Sequence, residues 1–269
     1  MKVDFSGRTA VVTGAASGLG RCVAELLADS GARVIGFDVS PVDAAGIDGR
    51  RVDIGDPDSI DDAIRNLDGP VDVLCNIAGL PQTKPALDVL RVNFLGLRHL
   101  TESLAPLMAA GGSVTSVSSN AGNGWPTRQP PLEAVLATGD FASGLEQLEG
   151  VVGDAGDSYI FSKELVQLYT LRRSHTLFRE RGVRMNSVSP GEMETPMMAE
   201  FRKATSDKVI DAVAQSAALG RAASPEEVAP SVVFLASDLA GFCCGAIFDV
   251  DGGYTAAQLT DQIDFSRFA

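Results

Sequence analysis

The stretch that most limits what this chain can become is Thr13-Gly14-Ala15-Ala16-Ser17-Gly18-Leu19-Gly20. Ahead of it, Thr9 to Val12 is a short β-branched apolar run; behind it, Cys22 to Leu27 repeats apolar residues at helical spacing, so the segment hands a strand over to a helix. Small residues there let a backbone approach a pyrophosphate beside a helix N-terminus, whose partial positive charge favours an anion. The spacing departs from G-x-G-x-x-G, and the loop taken alone reads equally well as a plain strand-to-helix turn. Asp38 shifts that balance. It ends the next apolar strand, Ala32 to Phe37, about 20 residues on, where a carboxylate can accept from both ribose hydroxyls of an adenosine.

The unit then repeats. Gly31 closes the first helix, and further strand-like runs fall just before Asp53 and at Val71 to Asn76, Ser113 to Ser118, Arg184 to Val188 and Ala246 to Val250. Helical patterns around Ser59 to Leu67, Val89 to Met108, Tyr159 to Arg181 and Pro225 to Leu235 separate them. Such alternation predicts an α/β fold: a Rossmann-type, doubly wound parallel sheet with helices on both faces, in one domain over residues 1–269. Two places break the rhythm. SPVDAAGIDGR after the second strand is too interrupted by Gly and Pro for a good helix, which predicts an irregular crossover. Residues 120–157 carry Leu132, Val135, Leu136, Leu145, Leu148 and Val152 at helical spacing and read as an inserted helical arm.

Charge removes whole classes of partner. With 22 Lys+Arg against 35 Asp+Glu the formal charge is -13, a field that repels phosphate backbones and anionic membrane surfaces. Neither nucleic acid nor a membrane is expected as a partner. Cys22, Cys75, Cys243 and Cys244 lack zinc-site spacing, Cys243-Cys244 reads as buried packing, and no apolar run approaches a membrane span, so a soluble, reduced, cytoplasmic protein is expected. His99 and His175 lie in helical patterns without a spaced second ligand, and Asp56, Asp58, Asp61 and Asp62 suit a helix start; no metal is expected.

The chemistry is concentrated around one helix. Tyr159 and Lys163 are i,i+4 and so share a helix face. A phenol with a reference pKa of ~10 needs about 4 kcal/mol of differential stabilisation to drop ~3 units, which a nearby ammonium in a low-dielectric cleft can supply. Tyr-x-x-x-Lys is common by chance. Here it keeps company with the glycine loop, Cys75-Asn76-Ile77-Ala78-Gly79, Asn93 in a helical segment, Ser118-Ser119 ending a strand, and Pro190-Gly191 ahead of Thr195.

With these motifs together the chain resembles the short-chain dehydrogenase/reductase family over essentially its whole length. The resemblance implies a catalytic tetrad of Asn93, Ser119, Tyr159 and Lys163, with Ser118 as the fallback for Ser119. It implies an NAD(H) site made by Gly14, Ser17, Gly18, Leu19, Gly20, Asp38, Asp53, Ile54, Asn76, Ala78, Gly79, Tyr159, Lys163, Pro190, Gly191 and Thr195. Asp53 suits the adenine amino group, although a solvated loop carboxylate fits it nearly as well. Asp38 would oppose a 2′-phosphate ~4 Å away by about 4 kcal/mol at an effective dielectric near 20, so NAD is expected over NADP. Reversible hydride transfer is the implied reaction, with Tyr159 moving the hydroxyl proton, Ser119 bonding the same oxygen, Lys163 lowering the Tyr159 pKa and Asn93 positioning a relay water.

Two departures from the family pattern stand out: Ile77 replaces the usual second Asn of Asn-Asn-Ala-Gly, and the arm lengthens the gap between Ser119 and Tyr159. The long gap, the short segment after the second strand and the Ala78 to Lys84 stretch resemble bacterial members acting on hydroxysteroids; Cys75-Asn-Ile-Ala-Gly and Gly124-Trp125-Pro126 resemble members acting on coniferyl alcohol. The substrate this implies is a hydrophobic alcohol and its ketone or aldehyde. Trp125, the arm's aliphatic residues, Met193, Met197, Met198 and Phe201 are candidates to wall its pocket, or else belong to helix core or a subunit contact. Family members are commonly homodimers or homotetramers that pair the helices carrying Asn93 and Tyr159. A non-catalytic NAD(H)-binding sensor or scaffold of the same fold is the alternative, and such a protein would be expected to lose Tyr159 or Lys163.

Overall fold

The computed structural model describes residues 3–152 and 157–264. Seven strands, β1 (Thr9–Thr13), β2 (Arg33–Asp38), β3 (Ile47–Arg51), β4 (Val71–Asn76), β5 (Met108–Val117), β6 (Arg184–Pro190) and β7 (Ile247–Val250), form one parallel sheet in the order β3-β2-β1-β4-β5-β6-β7. The order reverses between β1 and β4, and a doubly wound sheet opens its ligand crevice at that switch point, beyond the carboxyl ends of the strands. Central strands are buried throughout because helices cover both faces: Val11, Ile35 and Leu74 point to one core, Val12, Val34 and Val73 to the other.

On one face lie α1 (Gly18–Asp29) and α10 (Pro225–Ala236), which pack on each other through Val23, Leu27, Val228 and Val232. The other face carries α2 (Pro57–Arg65), α3 (Ala86–Leu90), α4 (Leu97–Leu104) and α7 (Ser158–Arg181). Gly31, at φ +92°, turns the chain out of α1 as expected, and residues 39–46 cross to β3 without a helix. The helix read over Val89 to Met108 is interrupted instead. Arg91–Gly96 forms a π turn between α3 and α4, and Met108 already belongs to β5, where it pairs with Val71.

The arm comprises a 3₁₀ segment (Asn120–Thr127), α5 (Gln129–Leu136) and α6 (Phe141–Val151); residues 153–156 lie outside the described residues. Leu132, Val135, Phe141 and Leu148 are buried in the core built on α4 and α7. The Arg98 guanidinium, 8% exposed, binds the arm there, donating to the carbonyls of Val135, Thr138 and Asp140 at the end of α5 and the start of α6. Beyond β6 come α8 (Pro196–Ala204) and α9 (Asp207–Ser216), and α11 (Tyr254–Leu259) follows β7.

Candidate active site

A cleft of about 630 Å³ runs across the carboxyl ends of the strands, within the usual range of roughly 300–1,000 Å³ for ligand pockets. Gly14, Ser17, Gly18, Leu19, Gly20, Asp38, Asp53, Ile54, Ala78, Gly79, Ser119, Tyr159, Lys163, Pro190, Gly191 and Thr195 all lie on its wall.

At one end is the glycine loop. Gly14 has φ +72°, and a Cβ there would stand 3.1 Å from the Ala78 backbone; a Cβ on Gly20 would stand 2.1 Å from the Gly14 carbonyl. The loop is therefore pressed between β4 and the first turn of α1, with no room for a side chain at Gly14 or Gly20. Thr13 ties it down, its hydroxyl accepting from the Ile77 and Ala78 amides at 2.8 and 2.9 Å, so Ile77 enters the turn through its backbone. The α1 N-cap, Ser17, makes no side-chain cap hydrogen bond, leaving first-turn amides turned to the cleft for an anion. Asp38 accepts from Ala16 N–H at 3.0 Å and Ser40 N–H at 2.8 Å. Asp53 accepts from Gly55 N–H at 2.8 Å. An uncapped loop, an acid at the end of the second strand and a lysine further along the cleft fit a dinucleotide.

The other end is set by α7. Asp157 caps this helix, accepting from the amides of Tyr159 and Ile160, and Gln167 donates to the Ser119 carbonyl at 3.0 Å and to Asn123 at 2.9 Å, locking the end of β5 onto the helix. The two serines divide: Ser118 donates to the Lys163 carbonyl at 2.9 Å, whereas the Ser119 side chain donates to Asn120 Oδ1 at 3.2 Å and stands close enough to the Tyr159 phenol to favour its ionised form. Both serines lie on the cleft wall, and of the two Ser119 is the one that acts on the Tyr159 phenol. Lys163 Nζ donates to the Val117 carbonyl at 3.0 Å and lies 5.5 Å from the Tyr159 ring centre. Phe201 of α8 packs edge-on against the same ring, centres 5.0 Å apart.

The electrostatics correct one expectation. Burial pushes the Tyr159 phenol up to about 12, opposed by the Ser119 hydrogen bond and reinforced by Glu192 and Asp157. Lys163 does not pull it down; burial lowers Lys163 itself to about 8. Its ammonium is turned to the Val117 backbone carbonyl.

Four further placements differ from the sequence reading. Asn76 is buried away from the cleft wall, donating to Thr101 at 2.9 Å. Asn93 commits both amide N–H groups, to the Leu80 carbonyl and the Ser162 hydroxyl, and accepts from Leu80 N–H at 2.6 Å, so its side chain clamps the Leu80 loop and has no N–H left for a relay water. Trp125 and the arm's aliphatic residues pack into the core on α4 and α7, and Met198 is a buried residue of α8; of the proposed pocket residues, Met193 and Met197 line the cleft. Cys244 is exposed, so Cys243-Cys244 is not buried packing. Burial pushes the Cys75 thiol up to about 12, which makes it inert. Among the described residues no cluster could hold a metal, and no helix is long and apolar enough to cross a membrane.

Sequence reasoning missed Asp88 and Arg91, which line the cleft beside Asp53 and Ile54. Nothing local marks them; Asp88 lies in α3 and Arg91 opens the π turn that follows it.

Two family models match the chain: short chain dehydrogenase over residues 8–130 and enoyl-(acyl carrier protein) reductase over residues 148–255. The chain is 32% identical to coniferyl-alcohol dehydrogenase of Pseudomonas sp. (strain HR199 / DSM 7063), over 96% of this chain and 100% of the relative. It is 34% identical to cis-4-hydroxycyclohexanecarboxylate dehydrogenase of Sinomonas cyclohexanicum, over 94% and 98%. Among solved structures it is similar to 3-alpha-hydroxysteroid dehydrogenase from Pseudomonas sp. B-0831 complexed with NADH, with a TM-score of 0.77 and 30% identity over 95% of this chain and 100% of that one.

Proposed function

The chain belongs to the short-chain dehydrogenase/reductase family, and on that premise we propose that it interconverts a hydrophobic alcohol and its ketone or aldehyde with NAD(H). One observation carries the reading: Ser119, Tyr159 and Lys163 converge at one end of a single cleft whose other end holds the glycine loop and Asp38. When bound, the nicotinamide supplies the hydride acceptor or donor. The chain's own groups do the rest. Tyr159 takes the hydroxyl proton in oxidation and returns it in reduction, and Ser119 bonds the same oxygen as charge develops there. Lys163 holds the ribose beside Tyr159, and Asn93 acts as a positioning residue by fixing the Leu80 loop.

Asp38, with no Lys or Arg in Ala15 to Ser17 to offset it, supports NAD over NADP. Met193, Met197 and Leu80 offer apolar contact near the reacting end, which supports a hydroxysteroid or an aryl or allylic alcohol as substrate class; relatives named for a steroid and for coniferyl alcohol agree. Four free cysteines suit a reducing, cytoplasmic setting. We propose a homo-oligomer as well, paired through the open edge at β7, where Phe242 and Phe248 are exposed, since the arm occupies the face of α4 and α7.

The test is a panel of steroid, cinnamyl and small polyol substrates with NAD and NADP, followed by NADH or NADPH absorbance. Turnover of the apolar members with NAD is the expected result. Preference for the polyol refutes the apolar class, and no turnover of any member refutes the reaction.

A further inference from the structure

A second cavity, of about 240 Å³, lies next to the cleft. The adjacency follows from the chain itself: Ser119 and Gly191 wall the cleft, and the next residues, Asn120 and Glu192, wall the cavity. Ser119 also donates to Asn120 Oδ1 at 3.2 Å, and the charge of Glu192 is felt at the Tyr159 phenol. Substrate reaching past the reacting oxygen would enter here.

The cavity's charged groups are spent, with one exception. Arg221 is held by Glu227 in a two-pronged pair, at 2.6 and 2.7 Å. Asp251 accepts from the amides of Gly253 and Thr255, closing the turn after β7. Glu192 makes no hydrogen bond or ion pair through its carboxylate among the described residues; burial raises its pKa, with only the longer-range field of Arg202 opposing. Tyr254 stands in the same cavity. Glu192 is half-buried, so its carboxylate is hydrated in the free protein and open to a donor that a ligand brings into the cavity.

We propose that this cavity is the distal half of the substrate site and that Glu192 is its specificity determinant, accepting from a hydrogen-bond donor, hydroxyl or ammonium, that the substrate carries away from the reacting carbon. The proposal rests on the oxidoreductase reading and sharpens its substrate class. The alcohol is apolar at the reacting end, beside Met193 and Met197, and ends in a donor. A carboxylate there is opposed by like charge, because the one arginine on the cavity wall is already neutralised by Glu227.

Four cyclohexanols test it: cyclohexanol, 1,4-cyclohexanediol, 4-aminocyclohexanol and 4-hydroxycyclohexanecarboxylate, which share ring and carbinol and differ at the distal substituent. Binding is read from the fluorescence of enzyme-bound NADH, which needs no turnover, and kcat/KM is read beside it with NAD. The diol and the amino alcohol should bind about tenfold more tightly than cyclohexanol, the worth of one buried hydrogen bond, with the carboxylate weakest. Glu192→Leu should erase that order while still binding NADH. Glu192→Gln should keep the diol, through its amide oxygen, and admit the carboxylate; it also decides the matter should the leucine variant fail to fold. A wild-type order indifferent to the distal group, or one that survives in Glu192→Leu, overturns the inference even where turnover is strong. An order that depends on Glu192 without turnover of any alcohol upholds it and sinks the oxidoreductase reading instead. Absence of binding by all four overturns both.

Discussion

Lys163 Nζ stands 5.5 Å from the centre of the Tyr159 ring and donates a hydrogen bond to the Val117 carbonyl. The shared helix face brings the two residues side by side, yet burial governs both: the phenol is pushed up to about 12 and the ammonium down to about 8.

The first consequence is a pH profile. Alcohol oxidation needs Tyr159 to accept a proton, and a raised pKa keeps the accepting form scarce at neutrality. Oxidation, measured as kcat/KM, should climb steadily from pH 7 to 10, whereas carbonyl reduction, which uses the protonated phenol, should not rise over that span. An oxidation rate already level at pH 7 would show that a lowered Tyr159 pKa governs turnover. Tyr159→Phe should cost at least about 10²-fold in turnover and leave NADH binding intact.

Lys163 itself burdens the fold. A change from 10.5 to about 8 corresponds to about 3 kcal/mol at 1.36 kcal/mol per unit. The hydrogen bond to Val117 returns about 1 kcal/mol. Lys163→Met should therefore stabilise the protein by about 2 kcal/mol at pH 7 in urea denaturation while losing activity. The sign with pH follows from linkage. Between about 8 and 10.5 the unfolded state binds more protons, so wild-type stability should rise with pH across that window and this rise should vanish in Lys163→Met. A variant no more stable than wild type would contradict the assignment.

The neighbouring serines should separate cleanly. Ser119→Ala removes the hydroxyl that bonds the phenol and should lower kcat by about 10²-fold or more with little change in stability. Ser118→Ala removes a buried bond to the Lys163 carbonyl and should cost about 1 kcal/mol of stability, with a smaller kinetic loss. Steady-state kinetics beside thermal denaturation would reveal a reversed pattern.

Asp38→Asn retains an acceptor for Ala16 or Ser40 but removes the charge a 2′-phosphate would meet. Cofactor preference, as the ratio of kcat/KM for NAD to that for NADP, should fall by at least about tenfold, a conservative share of the ~4 kcal/mol opposition after solvent screening. An unchanged ratio would move the discriminating group elsewhere.

Assembly is tested at β7. Phe242→Asp, on a fully exposed side chain beside the sheet's open edge, should shift sedimentation velocity toward the monomer without loss of thermal stability in the isolated chain. An unshifted profile would place the contact on another surface.

Much of this was legible before any coordinates. Strand and helix order, the glycine loop, Asp38 closing β2 and the pairing of Tyr159 with Lys163 all depend on periodicity or on spacings within one or two elements, which a sequence displays directly. The different surroundings of Ser118 and Ser119, by contrast, are set by α7, where one hydroxyl meets the Lys163 carbonyl and the other acts on the Tyr159 phenol. The arm's helical spacing was visible too, but an apolar stripe does not say what it will cover. Arg98 and the faces of α4 and α7 draw it onto the core, taking Trp125 away from the cleft.

By itself, then, the sequence determined the sheet, the crevice at its switch point and the residue types along that crevice, because each is encoded by local pattern. Tertiary structure alone decided that Asn76 is core, that Asn93 spends its amide on Leu80, that Tyr159 is harder to ionise than a free phenol, and that the Glu192 carboxylate has no partner among the described residues. Those outcomes depend on burial and on contacts between residues far apart along the chain, and neither is written in any stretch short enough to read alone.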